Sequence, residues 1–491
     1  MSVKKEASGS ENSISSKHKY PRRFLLTCAQ ASFYVSGENE SNKPELKKWG
    51  DQGMPAKLHK HLYEGLQEFA ERKGVDEFRV FPVKGICIKE DQFHESVDDI
   101  PELTNWERHI TKINSNATIT DIRVPPQNVD PATSRKHLTA KYDSTLFYPH
   151  PKQRMCPVAS SPSEFPRFLV TTGAITTPNY NRANDRGDQA ARDHKLGAVF
   201  VEAFNDKTYL FHFLTATQDG KFVHLGEQFD GHNKPTRVGV DALVLGDIHW
   251  GEHDVITMQA NYEMIARMNP KKVVLHDFFS GNSVSHWNLD KPLHRAQQFT
   301  RGELSLEHEL ESALKELQHL SKIAKGEIYI VASNHDAFLE TYLESGAYER
   351  KDLWNAKICH NLAGRILANN VRHDMYVKEA LSMVGKIPRN VHFLGLNDKL
   401  CIQGYRLSTH GHKGVNGAKK LTVKTVDETI GKGIIGHKHA PEQFRDSYVV
   451  GTSSRQDLGY ADGSISAAMG CNSAVYSNGK VQMLPIINGV W

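Results

Sequence analysis

The chain has 491 residues, 39% of them apolar and 24% charged, with a formal net charge of +4. This is an ordinary globular composition, long enough for about two or three domains with buried cores. A mean hydropathy of −0.52 and the lack of any apolar run of about eighteen residues exclude a membrane-spanning helix.

Residues 1–20 are rich in Ser, Lys, Glu and Asn and read as a disordered tail. Lys4, Lys5, Lys17 and Lys19 would there either be solvated or touch nucleic acid. The stretch lacks the apolar core of a secretory signal, which predicts a cytoplasmic location. Six scattered cysteines (Cys28, Cys87, Cys156, Cys359, Cys401 and Cys471) form no C-x-x-C pair. They predict reduced thiols and no thiolate zinc site.

Residues 21–239 read as an α/β domain of unassigned role. Phe24 to Ala29 is a buried strand, Leu58, Leu62, Leu66 and Phe69 recur at helical spacing up to Gly74, and Phe78 to Val83 is a second strand. Residues 121–166 hold eight of the 20 prolines, which predicts irregular structure or a long loop. Strands return at Phe168–Thr172, Gly197–Glu202 and Tyr209–Leu214, with turn signals at Asn205-Asp206 and Asp219-Gly220.

Residues 240–491 read differently. Short apolar runs each end in polar, chemically capable side chains. Ala242–Leu245 leads to Asp247 and His249, and Val273–Leu275 leads to His276 and Asp277. Ile328–Val331 leads to Asn334, His335 and Asp336. Cys401–Leu407 leads to His410 and His412, and Gly433–Ile435 leads to His437 and His439. Helices are predicted over about 254–269 and 303–324, the second with Leu306, Leu310, Leu314 and Leu317 on one face and Leu320 beside them. Ligands of open α/β sheets sit beyond the carboxyl ends of strands. Residues two apart on an extended segment point the same way, so Asp247 with His249, and His437 with His439, can each address one ion. Oxygen and imidazole donors without thiolate suit Mn²⁺, with Fe²⁺, Zn²⁺ or Mg²⁺ as alternatives.

The ordered set D-x-H, H-D, N-H-D, T-H-G-H and G-H-x-H resembles the calcineurin-like metallophosphoesterase superfamily over residues 240 to about 455. The resemblance implies an α/β protein whose C-terminal αββα metallophosphoesterase sandwich follows a separate α/β domain. It implies two divalent metal ions, one held by Asp247, His249, Asp277 and His439 and the other by Asp277, Asn334, His410 and His437. It further implies in-line attack on phosphorus by a metal-bridging hydroxide, with His335 acting at the leaving oxygen. Asp336 would orient that imidazole or, alternatively, cap the following helix. The chain departs from the pattern at His276 and Ser333, where the family has glycine, and at Ser280, where it has a second aspartate.

No arginine follows Asp277 closely and the third motif ends in Asp, unlike the phosphoprotein phosphatases of the superfamily. Lys413, Lys419, Lys420, Lys424, Lys432, Lys438 and Arg445 could form a basic rim suited to a nucleic-acid backbone, or an ordinary solvated face. Gly414, Asn416 and Gly417 could open a phosphate-binding helix or form a turn. The nearest functional likeness is to the SbcD-type DNA-repair nucleases, and the layout resembles early host-DNA-degrading nucleases of T5-like phages, which would make the expected location the host cytoplasm. The expectation is a two-metal phosphodiesterase with DNA as substrate. The alternatives are a metallophosphatase or phosphodiesterase for small or protein substrates, and a DNA-handling or interaction protein that works through its first half. Homo-oligomerisation and host-factor binding by the N-terminal half complete the expected partners, with no membrane among them.

Overall fold

The computed structural model describes residues 19–32, 56–86, 88, 89, 93, 97, 100, 110–161, 164–182, 184–455 and 464–491. The expected disordered tail lies outside them apart from residues 19 and 20. The chain is a mixed α/β protein with several sheets.

Six strands form one sheet, in the spatial order Val391–Leu394, Glu327–Val331, Lys272–Leu275, Val240–Val244, Gly470–Tyr476 and Val481–Ile486. The first four run parallel and the last two are antiparallel additions. The parallel strands are short and apolar because both their faces are covered. On one face, Leu243, Val273 and Leu275 pack against Leu310, Leu314 and Leu317 of the helix Leu306–Ile323 and Met264 of the helix Val255–Met268. Ser305 and Asp254 accept hydrogen bonds as the N-caps of these two helices. On the other face, Ala242, Val244, Val274 and Val331 meet Tyr405, Leu407, Ile434, Tyr448 and Val450 of a second sheet. Beyond that sheet, Val423 and Val426 of the helix Val423–Thr429 pack on Ile435, Phe444 and Val449. This half is therefore layered as helices, sheet, sheet and helix.

The second sheet has ten strands and crosses the boundary expected at residue 240. Five come from the C-terminal half, ending with Glu442–Phe444, and five from the first half, beginning with Arg154–Val158. The two meet antiparallel, with Gln443 opposite Met155 and Phe444 opposite Arg154. Arg154 fastens this seam from a buried position. It pairs with Asp130 at 3.1 Å and Glu442 at 2.7 Å, and donates to the Gln443 carbonyl at 2.8 Å. The halves thus share a sheet, and the α/β region before residue 240 does not stand apart from the C-terminal half.

Two further expectations are refined here. The proline-rich stretch is irregular around Pro125, Pro126, Pro131, Pro149, Pro151 and Pro166, but between these it supplies the strands Thr145–Tyr148 and Arg154–Val158 and the helix Lys136–Tyr142. Pro157 is tolerated because it lies past the pairing with Glu442–Phe444, where one side of the strand has no ladder to serve. Cys401–Leu407 is not one strand but a hairpin of Cys401–Ile402 and Tyr405–Arg406. Gln403 and Gly404 both take positive φ (51° and 81°) at its two-residue turn, a conformation that glycine favours.

The first half also holds a small three-stranded sheet of Phe222–His224, Glu227–Phe229 and Thr236–Arg237, and a four-stranded sheet in the order Glu77–Lys84, Arg22–Ala31, Gly197–Ala203 and Tyr209–Thr215. The first two strands are parallel, and the crossover between them carries the helix Lys60–Lys73. Gly74 ends that helix with a left-handed φ of 60°. Phe24 and Leu26 share their core with Met469 and Ile487 from near the chain's end. Among the described residues no helix is long and apolar enough to cross a membrane.

Candidate metal centre

Five strand ends converge. Val240–Val244, Lys272–Leu275 and Glu327–Val331 are neighbours in the six-stranded sheet, and Tyr405–Arg406 and Gly433–Ile435 are neighbours in the ten-stranded sheet packed against it. The connections beyond them are knitted by backbone hydrogen bonds from Asp247 to Gly451, from Ile248 to His276 and from His249 to Asp277. His249, Asp277, His437 and His439 all adopt positive φ, at 49°, 43°, 72° and 57°. Such backbone costs energy for a residue with a side chain and persists where its surroundings enforce it. Here it turns four polar side chains into one pocket.

Two groups of ligand atoms result. One oxygen or nitrogen from each of Asp247, His249, Asp277 and His439 lies within 4.8 Å of the others, and the same holds for Asp277, His410 and His437. Asp277 belongs to both. Its Oδ2 is 3.1 Å from His410 Nε2 and 3.6 Å from His249 Nε2. His439 Nε2 is 3.3 Å from Asp247 Oδ2 and 3.0 Å from His249 Nε2. Asn334 joins the second group, its Oδ1 being 3.1 Å from His410 Nε2 and 3.0 Å from His437 Nδ1. All seven residues expected to hold metal are thus adjacent.

The electrostatics suit a cation. Asp247, His249, Asp277 and His410 are buried, and Asp247 Oδ1 and Asp277 Oδ1 have no hydrogen-bond partner. Unpaired buried carboxylate oxygens are expensive. Burial and the neighbouring Asp277 push Asp247 well above the usual carboxylate range. Burial would raise Asp277 too, but the imidazoles of His410, His335 and His249 hold it well below that range. Burial keeps His249 neutral and lowers His437 and His439 to about 4, which leaves imidazole lone pairs free for coordination. His410 is the exception. Burial lowers it, but Asp277, Asp247 and Asp336 outweigh that and lift it to about 9, so a proton sits where a cation would. The cluster can hold a metal ion, and the donor set matches oxygen- and nitrogen-loving divalent metals.

Gly436 shows how tightly the pocket is built. A Cβ there would lie 2.2 Å from Asp247 Oδ1. The Asp247 carboxylate is instead held by the His437 amide at 2.7 Å.

His335 lines the cleft in front of the cluster. Its Nδ1 donates to the Ser280 carbonyl at 2.6 Å, which leaves Nε2 as the free ring nitrogen. Of the two expected roles of Asp336, orienting this imidazole or capping a helix, the first does not hold. Its carboxylate accepts from the Ser333 amide at 2.9 Å, at the start of the helix Asp336–Glu344. The orienting acceptor is a main-chain carbonyl and carries no residue-type signal. His276, in the family's glycine position, is buried with Nδ1 3.4 Å from His410 Nδ1. His412 stands beside His410 and His437, with ring centroids at 5.5 and 6.3 Å, but contributes to neither ligand group.

The cleft has a volume of about 850 Å³, and Lys291, Lys438 and Arg455 are among its lining residues. Three of the seven residues of the basic rim expected over 413–445 are engaged in ion pairs: Lys424 with Asp130, Lys438 with Glu442, and Arg445 with Asp193 and Asp427. Gly414, Asn416 and Gly417 belong to a short 3-10 turn, and the next helix begins only at Val423.

No protein-family model matches the chain. A curated relative, Protein A1 of Escherichia phage T5, is 26% identical over 351 residues, spanning 66% of this chain and 60% of that protein. The match thus covers less than two thirds of the relative's own length. A solved structure aligns with 50% of this chain and 98% of its own length at 12% identity, with a TM-score of 0.23, too slight a likeness to carry an argument.

Proposed function

We propose that the protein is a metal-dependent phosphodiesterase of the calcineurin-like type, a nuclease that hydrolyses the DNA backbone. The observation that carries this reading is the membership of Asp277 in both ligand groups, the arrangement needed to hold two cations side by side. Asp247, His249, Asp277 and His439 would hold one, and Asp277, Asn334, His410 and His437 the other, with Mn²⁺ the best match to the donors. When bound, such ions draw in phosphate oxygens and acidify water.

The chain's own residues do the rest. The carboxylates of Asp247 and Asp277, excluded from solvent, accept no proton while cations occupy the pocket. His335 is fixed through Nδ1 by the Ser280 carbonyl, so its Nε2 can deliver a proton, or positive charge, to the leaving oxygen. Lys291 and Arg455 in the cleft attract the phosphodiester strand. The similarity to a phage protein supports a phage origin, and host DNA is the substrate that a phage-borne nuclease would meet. Residues 240–491 supply the reactive groups, and the first half buttresses them through the shared sheet.

The test is degradation of DNA by the purified chain with Mn²⁺, Mg²⁺, Co²⁺ or Zn²⁺, together with turnover of a chromogenic phosphodiester. Asp247→Ala should abolish cleavage without loss of fold. Failure to cut single- or double-stranded DNA with any of these metals would overturn the nuclease reading, and turnover of the chromogenic diester alone would redirect it to a small substrate.

A further inference from the structure

Trp287 is 67% exposed, a costly position for the largest apolar side chain on a protein surface. It is not stray. It lines the same cleft as Asp277, His335, His437 and His439. A continuous run of ring contacts connects it to the metal cluster. Trp287 lies against His286 with centroids 4.6 Å apart at 37°, and His286 meets the edge of Phe338 at 5.4 Å. Phe338 meets His335 at 4.6 Å, and His335 meets His249 at 4.3 Å.

The segment that carries Trp287 is anchored at its start. Glu309 accepts from the amides of Asn282 and Ser283 at 3.0 and 3.1 Å and from the Ser283 hydroxyl, while Arg295 donates to the Ser283 carbonyl at 3.0 Å. A flat aromatic surface is thus presented from a segment anchored at Asn282 and Ser283, three ring contacts from the imidazole assigned to the leaving oxygen. Lys291, four residues on, and Arg455 add positive charge to the same cleft, against Glu252 on its wall.

We infer that Trp287 is the stacking floor of a nucleobase subsite, which takes an unpaired nucleotide on the leaving-group side of the scissile phosphate. This rests on the nuclease reading above. A base can lie on an indole only when it is out of its pair, and such stacking tolerates any sequence because every base has a π-face. The subsite therefore selects single-stranded or frayed DNA rather than a particular sequence.

The experiment has a binding arm and a kinetic arm. In EDTA, anisotropy of a labelled single-stranded oligonucleotide is compared for wild type, Trp287→Ala and Trp287→Phe. Trp287→Ala should weaken binding about tenfold, as expected for loss of one base stack, while Trp287→Phe keeps most of it. With Mn²⁺, Trp287→Ala should raise KM on single-stranded DNA by a similar factor while kcat changes little. An oligonucleotide abasic at the leaving-side nucleotide should erase the difference between wild type and variant. Equal binding by wild type and Trp287→Ala, or no binding by either, overturns the subsite. DNA that is bound through Trp287 but never cut overturns the nuclease reading and leaves the subsite standing.

Discussion

His335 Nδ1 lies 2.6 Å from the carbonyl oxygen of Ser280, and Asp336, its neighbour in sequence, turns away to the Ser333 amide. The proton on Nδ1 is therefore set by the main chain. His335→Ala should lower kcat by about 10²- to 10⁴-fold, the usual worth of a positioned acid or base. Asp336→Asn should keep most of the turnover. Steady-state kinetics on one DNA substrate separates the two, and equal losses would show that Asp336 takes part in the chemistry after all.

The shared position of Asp277 predicts a difference in metal stoichiometry. Wild type should bind two equivalents of Mn²⁺. His437→Ala, which touches one ligand group, should retain one, and Asp277→Asn should fall below one because both groups lose a carboxylate oxygen. Metal analysis after equilibrium dialysis measures this. Two full equivalents in Asp277→Asn would remove it from the shared position.

Gly436 predicts a steric result. The methyl group of Gly436→Ala would sit 2.2 Å from Asp247 Oδ1 and 3.0 Å from the His276 side chain. Overpacking of this kind costs about 1–3 kcal/mol. The variant should unfold at lower denaturant and bind metal more weakly than wild type, with unchanged secondary structure by circular dichroism.

Glu316 predicts a pH dependence remote from the metal. Burial raises its carboxyl to about 7, offset only in part by the hydrogen bond from Tyr262 at 2.9 Å. The folded state holds this proton more tightly than the unfolded chain, whose carboxyl has its ordinary value of 4.5. The stabilisation is complete below pH 4.5 and is lost as pH rises through 7. Glu316→Gln keeps an acceptor for Tyr262 without the charge, so its Tm should be flat over this window and exceed that of wild type by a few degrees at pH 8. Parallel profiles for the two proteins would contradict this.

The metal cluster was legible in the sequence because each of its residues sits just past a short apolar run, and strand ends are where such sheets place chemistry. Leu306, Leu310, Leu314 and Leu317 likewise announced their helix, and Gly74 its stop. The seam between Arg154 and Glu442 was not legible. It joins residues 288 apart in sequence, through strands as short as the three residues Glu442–Phe444, too few for any periodicity to register. Among the described prolines of 121–166 only Pro157 departs from the expectation of irregular structure, because what a proline can tolerate depends on which strand edge is paired. The acceptor of His335 is a backbone carbonyl, which any residue could have supplied.

That seam also governs how the molecule can be dissected. A chain severed near residue 240 would leave each five-stranded piece with one newly naked hydrogen-bonding edge, at Arg154–Val158 and at Glu442–Phe444, a template for aggregation rather than a pair of modules. Arg154→Met would remove the cation that spans the seam and leave Asp130 to Lys424 and Glu442 to Lys438, so the loss should fall below the roughly 3–5 kcal/mol of a fully unpaired buried charge. Heat or denaturant should reveal that loss as one lowered transition, because the clamp belongs to neither half alone. The side chains of the candidate metal centre all come from between Asp247 and His439, yet one of the two sheets that carry them runs on without a break into five strands of the first half.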